Sequence, residues 1–206
     1  MKVIGFGAAL VDKQFLIKDD ALNDLGIEKG LMTLNSEEEQ NELLTFLKGE
    51  NYDQISSCGG SATNSIYAAA ALGTSSGFIG KVAEDEDGEI YNSDLKDNNV
   101  EISNCITSSI GKTGNCIVLI TPDAERTMNT FLGVSSETKF SEINFEKLSS
   151  ANLLFMEAYV VTSSDTKDTA EKLIKSCHES GIKIALSLSD PGLSLIHISE
   201  PTRLRR

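Results

Sequence analysis

Hydrophobic residues along this chain fall into short continuous runs that alternate with stretches of helical periodicity. Apolar runs typical of buried strands occupy residues 3–12, 152–157 and 182–188. Between the last two runs, a helical pattern spans residues 166–180, and Gly181 is placed to end that helix. Strands that alternate with helices in this way predict a mostly parallel sheet with helices on its faces.

Two other segments follow a different pattern. In residues 13–34 and 105–132, apolar and polar positions alternate and turn residues separate the runs, which is typical of half-exposed antiparallel strands. After the first of them, Ser36 and Glu39 form the signature of a capping box that opens a helix running to Lys48. We therefore predict an α/β protein with a mostly parallel sheet, flanking helices and a separate small β-sheet.

A double glycine followed by a helix of small residues is the most informative local motif. Gly59 and Gly60 lack Cβ atoms, so the backbone can approach a ligand closely and change its φ angle on binding. The helix that follows, rich in alanine over residues 66–73, points unpaired N–H groups toward the turn. Asn64 lies about one turn into the helix, and its amide can both donate and accept. The motif predicts either a ligand-facing turn or a glycine loop that only admits the helix.

The composition predicts a cytoplasmic domain and excludes several kinds of partner. The chain has 206 residues, 40% of them hydrophobic, and a net charge of −13 that disfavours binding to nucleic acid or anionic membranes. No apolar run approaches the ~18 residues that span a bilayer. The four cysteines form no Cys-x-x-Cys pair, which suits a reducing compartment. No metal site is predicted.

The last residues differ in character from the rest of the chain. Residues 193–203 match a translation, in one frame, of the transposon-end adapter used in DNA sequencing libraries. We therefore expect residues 193–206 to be non-native and exclude them from fold reasoning. Because this tail carries three Arg and one Glu, removing its charge of +2 leaves −15 for the remaining chain.

Two nucleotide-binding motifs are present only in part. The run Gly111-Lys112-Thr113 resembles the end of a P-loop, but Ile106 stands where the first glycine is required and the flanks are strand-like. Residues 5–10 lack the third glycine of a dinucleotide fingerprint, since Leu10 occupies that position. A small oxidoreductase domain is therefore disfavoured.

The glycine turn and the segments around it resemble the PfkB (ribokinase-like) family of carbohydrate and nucleoside kinases. Gly59, Gly60 and Asn64 match the first signature of that family, and residues 80–88 are similar to its G-x-V-G-x-D-x-x-G segment. The opening strand that ends in Asp12 matches as well. Residues 112–120 and 125–130 are most similar to the adenosine-kinase and sugar-kinase branch; the likeness runs from Met1 to about Asp190.

This resemblance implies a ribokinase-like fold whose C-terminal part is missing. Residues 1–192 would form a truncated kinase domain, in which segments 13–34 and 105–132 make a β-sheet lid over the substrate. The implied partner is a small-molecule sugar or nucleoside, with no nucleic acid or membrane, and the parent protein would form a homodimer through the lid.

The resemblance also assigns substrate-binding roles to individual residues. Asp12 would accept hydrogen bonds from two adjacent hydroxyls, a task suited to an ionised carboxylate at a strand end; the alternative is an Asp that caps a turn. Gly59, Gly60 and Asn64 would enclose the same sugar, with the glycines acting as a hinge for lid closure. Glu157, which ends another buried strand, would face the same cleft and contact the sugar.

Arg126 has two alternative roles. A basic residue near this position in the family often lies beside the transferred phosphate, where a guanidinium would steady developing charge. Pairing at the surface with Glu125 or Asp123 is an equally good interpretation of the sequence.

The catalytic machinery of the family is expected to lie beyond this region. The segments that organise Mg²⁺ and bind ATP belong to the later part of the family's chain, and the Gly-Ala-Gly-Asp turn, whose Asp is the general base, does not occur here. No catalytic residue is therefore named. The parent would use ATP and Mg²⁺ to phosphorylate a hydroxymethyl group of a sugar or nucleoside, with this chain as the substrate-binding half. The alternative is a catalytically silent sugar- or nucleoside-binding fragment.

Overall fold

The computed structural model describes residues 1–188, which form two five-stranded sheets and six α-helices. The predicted non-native tail and its junction near Asp190 lie outside the described residues. The strands are β1 (Lys2–Phe6), β2 (Leu10–Leu16), β3 (Met32–Leu34), β4 (Gln54–Gly59), β5 (Ser75–Ala83), β6 (Val100–Ser108), β7 (Thr113–Ile120), β8 (Arg126–Gly133), β9 (Leu153–Glu157) and β10 (Lys183–Ser187). The helices are α1 (Asp19–Leu25), α2 (Glu37–Gly49), α3 (Ser61–Ala71), α4 (Glu86–Asp97), α5 (Phe145–Ser149) and α6 (Ser164–Glu179).

The first sheet is parallel throughout and has the strand order β10-β9-β1-β5-β6. Helices α3 and α4 cover one face, where Ile66, Tyr91 and Leu95 are buried. On the other face, α6 buries Leu173 and Cys177. Both faces are thus covered, as a parallel sheet requires. The predicted α/β architecture with a mostly parallel sheet is confirmed.

Local sequence signals set several helix ends. Ser36 accepts a hydrogen bond from the Glu39 backbone N–H, and the Glu39 side chain accepts one from the Ser36 backbone N–H, so the predicted capping box is present at the start of α2. Gly181, which follows α6, has φ +70°, and the Ile182 N–H donates to the Cys177 carbonyl. The predicted glycine stop is therefore confirmed.

The second sheet is mixed and has the strand order β3-β8-β7-β2-β4. Its helix-facing side packs against α1 and α2 through Phe15, Ile117 and Leu119. The strands that form this sheet are not all from the predicted lid segments, and not all of those segments join it. Residues 105–108 belong to β6 of the parallel sheet, β4 was not predicted to join the second sheet, and β2 runs parallel to β7. Alternation along a strand reports one exposed face, but it does not identify the partner strand.

The first predicted strand is divided between the two sheets. β1 ends at Phe6 in the parallel sheet, and β2 begins at Leu10 in the second sheet. The chain turns at Gly7, where a Cβ would lie 2.6 Å from the carboxyl carbon of Glu157. Asp12 is therefore the third residue of a second-sheet strand and does not end a parallel strand, which corrects the sequence-based placement.

Helix α4 fixes the second sheet to the parallel sheet. Asp85, its N-cap residue, accepts hydrogen bonds from the backbone N–H and hydroxyl of Thr113 in β7, at 2.8 and 2.6 Å. Asp87 pairs with Lys13 of β2 at 2.7 Å. Asp94 accepts a hydrogen bond from the Cys58 N–H of β4 at 2.8 Å. One helix thus holds three neighbouring strands of the second sheet. Across residues 1–188, none of the helices combines the length and apolarity that a bilayer crossing needs.

Candidate functional site

A cleft opens between the carboxyl ends of β1 and β9 and one face of the second sheet. It encloses about 230 Å³. Asp12, Gly60 and Asn64 contribute to its polar lining, and its aliphatic lining includes Met32, Leu34, Met128 and Leu132 of the second sheet. A more open hollow of about 340 Å³ lies nearby, but its single cation, Lys112, already pairs with Glu37 of the same lining at 2.7 Å. We therefore place the candidate site in the first cleft, where polar groups converge on a partly apolar cavity.

Asp12 presents an unpaired carboxylate to this cleft. The residue is half-buried in β2, opposite Cys116 of β7, and within residues 1–188 its carboxylate forms neither a hydrogen bond nor an ion pair. Burial raises the pKa of Asp12 to about 6, while the positive charge of Arg126 acts in the opposite direction. Because Asp12 lies inside a strand, the turn-capping alternative does not apply. Its carboxylate remains available to accept hydrogen bonds from a ligand.

The two glycines allow three chain segments to pack closely at the cleft. A Cβ on Gly59 would overlap the Asp12 carboxylate, so the missing side chain leaves room for that group. Gly60 is the N-cap residue of α3 and has φ +95°, and a Cβ there would lie 2.7 Å from the Ala8 carbonyl oxygen. The glycines therefore accommodate the protein's own atoms in this conformation. Their role as a hinge stays a prediction.

Asn64 brings an amide to the same cleft. It is the fourth residue of α3, and its backbone N–H donates to the Gly60 carbonyl at 2.9 Å. Its side chain is exposed, lines the cleft, and has no hydrogen-bond partner among the described residues. The structure thus brings Asp12, Gly60 and Asn64 together around one cavity.

Glu157 lies at the floor of the cleft and is 1% exposed. One carboxylate oxygen accepts a hydrogen bond from the Ala8 N–H at 2.7 Å. The other accepts from the Ser61 hydroxyl at 2.6 Å and the Ala62 N–H at 2.7 Å. Burial raises the pKa of Glu157 above its ordinary value, and the hydrogen bonds from Ser61, Ala8 and Ala62 act against that shift. The positive end of α3, predicted to attract a ligand, is therefore occupied by the protein's own carboxylate.

Arg126 lies at the mouth of the cleft, at the start of β8, and is exposed. Asp123, one of its predicted surface partners, pairs with Lys29 at 2.8 Å. The carboxylate of the other, Glu125, accepts a hydrogen bond from the Arg126 backbone N–H at 3.3 Å. Within residues 1–188 the guanidinium forms no ion pair, so the structure favours the cleft-facing interpretation over surface pairing.

Sequence reasoning missed most of the second-sheet wall. Cys116 lies beside Asp12, and Thr130 of β8 donates a hydrogen bond to the Cys116 sulfur at 3.3 Å. Met128 and Leu132 share a strand face with Thr130. The period-2 alternation of β8 could have identified these residues once Arg126 was placed in the cleft. The Ser61 hydroxyl was also missed, although it directly follows the glycine pair.

The cleft lining offers little that would hold Mg²⁺ or the phosphates of ATP. Across residues 1–188 no three His, Cys, Asp or Glu side chains come together as a metal site. The cleft lining contains two carboxylates and a single cation, Arg126. One cation is little to balance a polyphosphate, whereas a neutral polyol would find acceptors. We assign no step to ATP or the metal on these residues.

Several known proteins with a similar sequence or fold are named as sugar or nucleoside kinases. The family model of the pfkB carbohydrate kinases matches residues 40–199. A probable chloroplastic fructokinase-6 of Arabidopsis thaliana is 30% identical over 139 residues, covering 66% of this chain and 35% of that protein. An ATP-dependent ribose-1-phosphate kinase of Halopiger xanaduensis is 28% identical over 142 residues, covering 69% of this chain and 45% of that protein.

Solved structures agree with the sequence relatives. The adenosine kinase of Sinorhizobium meliloti superposes with a TM-score of 0.83 at 28% identity, covering 94% of this chain and 58% of the other. A probable sugar kinase of Rhizobium etli gives a TM-score of 0.84 at 27% identity, covering 94% and 57%.

The fold and the matches together define the class of protein as a ribokinase-like α/β protein. The chain belongs to the pfkB family of carbohydrate kinases. It spans less than half the length of these two sequence relatives.

Proposed function

We propose that this chain is the substrate-binding half of a kinase that transfers the γ-phosphate of ATP to a hydroxymethyl group of a sugar or nucleoside. Asp12 would accept hydrogen bonds from neighbouring substrate hydroxyls, and Asn64 would bind a further polar group. Gly59 and Gly60 would let the backbone approach the substrate. Arg126 would lie on the side from which the phosphoryl group arrives. ATP and Mg²⁺ would be held by segments outside the described residues.

The observation that carries this proposal is the unpaired Asp12 carboxylate. A half-buried carboxylate without a protein partner loses hydrogen bonds to water and gains none from the protein. Its burial therefore costs free energy unless a ligand supplies hydrogen-bond donors. Adjacent hydroxyls of a ribose or hexose are donors of this kind. The exposed Asn64 amide in the lining of the same cavity adds a second polar contact.

The aliphatic wall leaves both substrate classes open. A nucleoside would place its base against Met128 and Leu132, whereas a simple sugar would leave them uncovered. Among the similar proteins, one is named an adenosine kinase and another a fructokinase.

Calorimetric titration of the 206-residue chain with adenosine, ribose and fructose, in the absence of ATP, tests the proposal. We expect saturable binding of at least one compound by the wild type and a marked loss of it in Asp12→Asn. Asp20→Asn, which changes an exposed carboxylate of α1, is the matched control and should bind normally. Failure of all three compounds to bind would overturn the proposal.

A phosphorylation assay separates the kinase half from the catalytically silent binding fragment. We expect no ATP consumption by the 206-residue chain, since no general base is assigned in it. The product of a longer gene that encodes this chain together with the ATP-binding segments of the family should phosphorylate the compound that the chain binds. If that product binds the compound but does not phosphorylate it, the silent-fragment alternative is correct.

The proposal extends to the oligomeric state of the protein and to its location in the cell. Leu16 and Ile55 lie beyond the cleft on the second sheet and are 71% and 63% exposed, and exposed apolar side chains of this size are typical of interfaces. We assign them to a homodimer that forms through the second sheet, which sedimentation of Leu16→Lys against wild type would test. All four cysteines are free, in keeping with the proposed cytoplasmic location.

A further inference from the structure

Glu157 joins three segments that are distant in sequence but adjacent at the cleft. Ala8 lies in the link between β1 and β2, two residues before the strand that carries Asp12. Ser61 and Ala62 begin α3, one turn before Asn64. The same carboxylate accepts a hydrogen bond from each of these three residues, at 2.6–2.7 Å.

Two glycines show how closely these segments are packed. A Cβ on Gly7 would lie 2.6 Å from the Glu157 carboxyl carbon and 2.8 Å from the Ala62 Cβ. A Cβ on Gly60 would lie 2.7 Å from the Ala8 carbonyl oxygen. Neither glycine can therefore carry a side chain without moving the link, the helix or the carboxylate. This crowding places the ends of all three segments in a fixed relation.

We infer that Glu157 is a positioning residue, which holds the β1–β2 link against the start of α3 so that Asp12 and Asn64 face one ligand. Its carboxylate satisfies donors at the helix N-terminus that would otherwise be unpaired. The inference rests on the proposed function for the identity of the ligand. It does not require that Glu157 contact the ligand itself.

Two variants test the hydrogen bonds from Glu157 to the β1–β2 link and to α3 in the ligand-free 206-residue chain. Glu157→Asp keeps the charge but is one methylene shorter, so it cannot reach both the link and the helix. Glu157→Gln keeps the length but turns an N–H₂ group toward a backbone donor. In each variant we expect at least one of the Ala8 and Ala62 amides to exchange with solvent roughly tenfold faster or more, because it loses a charged acceptor. Amides in the core of α6, such as that of Leu173, should keep their protection.

The effect of Glu157 on ligand binding is tested with adenosine and ribose as probes. We expect either Glu157 variant to weaken binding by roughly tenfold, the value of one lost charged hydrogen bond. In an Asp12→Asn background the same Glu157 substitution should cost less further affinity than in the wild type, because one of the two groups that it positions is already lost. Thr169→Ala, which removes a buried hydrogen bond to the Thr138 carbonyl far from the cleft, is the control for general destabilisation and should leave affinity unchanged.

The outcomes are distinct. If affinity falls while the Ala8 and Ala62 amides stay protected, Glu157 contacts the ligand directly and the positioning role is wrong. If exchange of the Ala8 or Ala62 amide becomes faster but affinity is unchanged, the hydrogen bonds of Glu157 do not position the site, and the inference is also overturned. If wild type binds neither probe, the proposed function fails for these compounds. Independently of ligand binding, Ala8 and Ala62 amides that stay protected in Glu157→Asp would overturn the positioning role of Glu157.

Discussion

The cleft contains two carboxylates, Asp12 and Glu157, whose surroundings differ. Each was predicted to end a buried strand and, through the family resemblance, to bind the substrate. Asp12 is half-buried and has no partner among the described residues, whereas Glu157 is 1% exposed and accepts hydrogen bonds from two segments. Burial raises the pKa of both groups, but only Glu157 has its lost hydration replaced by protein donors. An unpaired group is suited to bind a ligand, and a paired one is suited to hold the site together.

The most severe test of this comparison removes the paired carboxylate. Glu157→Ala should reduce the free energy of unfolding by on the order of 3 kcal/mol, because it leaves the Ala8 and Ala62 donors unsatisfied at the cleft floor. Asp12→Ala should cost far less, since it removes a group without a partner. Urea denaturation of both variants measures the difference. Equal losses would show that the two carboxylates contribute alike to stability.

The converse test concerns binding. Asp12→Asn should weaken binding of the compound that the chain recognises by roughly 1.5–3 kcal/mol, because an amide replaces a charged acceptor facing hydroxyls. Its thermal midpoint should stay the same or rise. Calorimetry and thermal unfolding of one preparation give both values, with Asp20→Asn as the control. Unchanged affinity would remove Asp12 from the site.

The parallel sheet was predictable from the sequence, whereas the second sheet was predictable only in part. Continuous apolar runs such as residues 153–157 report burial on both faces, and that is a property of parallel strands. The division of the first strand at Gly7 was not visible, because local propensity is the same on both sides of the break. The partners of β2 depend on contacts with residues 54–59 and 113–120, which are distant in the chain.

The site was predictable to the extent that a motif marked it. Asp12, Gly60 and Asn64 were found through the glycine turn and the opening strand, and the structure places them around one cavity. The environment of Glu157 was not predictable, since its partners Ala8 and Ala62 contribute backbone N–H groups that carry no side-chain signal. Cys116 and Thr130 also lack a motif, and they reach the cleft only through strand register.

A smaller effect is expected at Gly60, the N-cap residue of α3. Gly60→Ala should destabilise the protein by about 2 kcal/mol, because φ is +95° and the new Cβ would approach the Ala8 carbonyl oxygen. Gly49→Ala, at the open end of α2 where a Cβ meets nothing within 4 Å, is the control and should be neutral or slightly stabilising. Urea denaturation of both variants provides the comparison. A neutral Gly60→Ala would show that the link between Ala8 and α3 is looser than the structure indicates.

The smallest effect is the pH dependence that the unpaired carboxylate imposes. The pKa of Asp12 is raised from 3.8 to about 6 in the folded protein, so between these values the folded state holds more protons than the unfolded state. Stability should therefore fall as pH rises from about 4 to 6, by of the order of 1 kcal/mol once solvent screening at this half-buried group is allowed for. Ligand affinity should change in the opposite direction and rise through pH 6, because only the ionised carboxylate accepts two hydroxyls. Unfolding and titration experiments at pH 4, 5, 6 and 7 on wild type and Asp12→Asn isolate this contribution, since the titration of Glu157 is common to both proteins. If the difference between the two proteins does not vary with pH, folding does not raise the pKa of Asp12 and the contrast with Glu157 is lost.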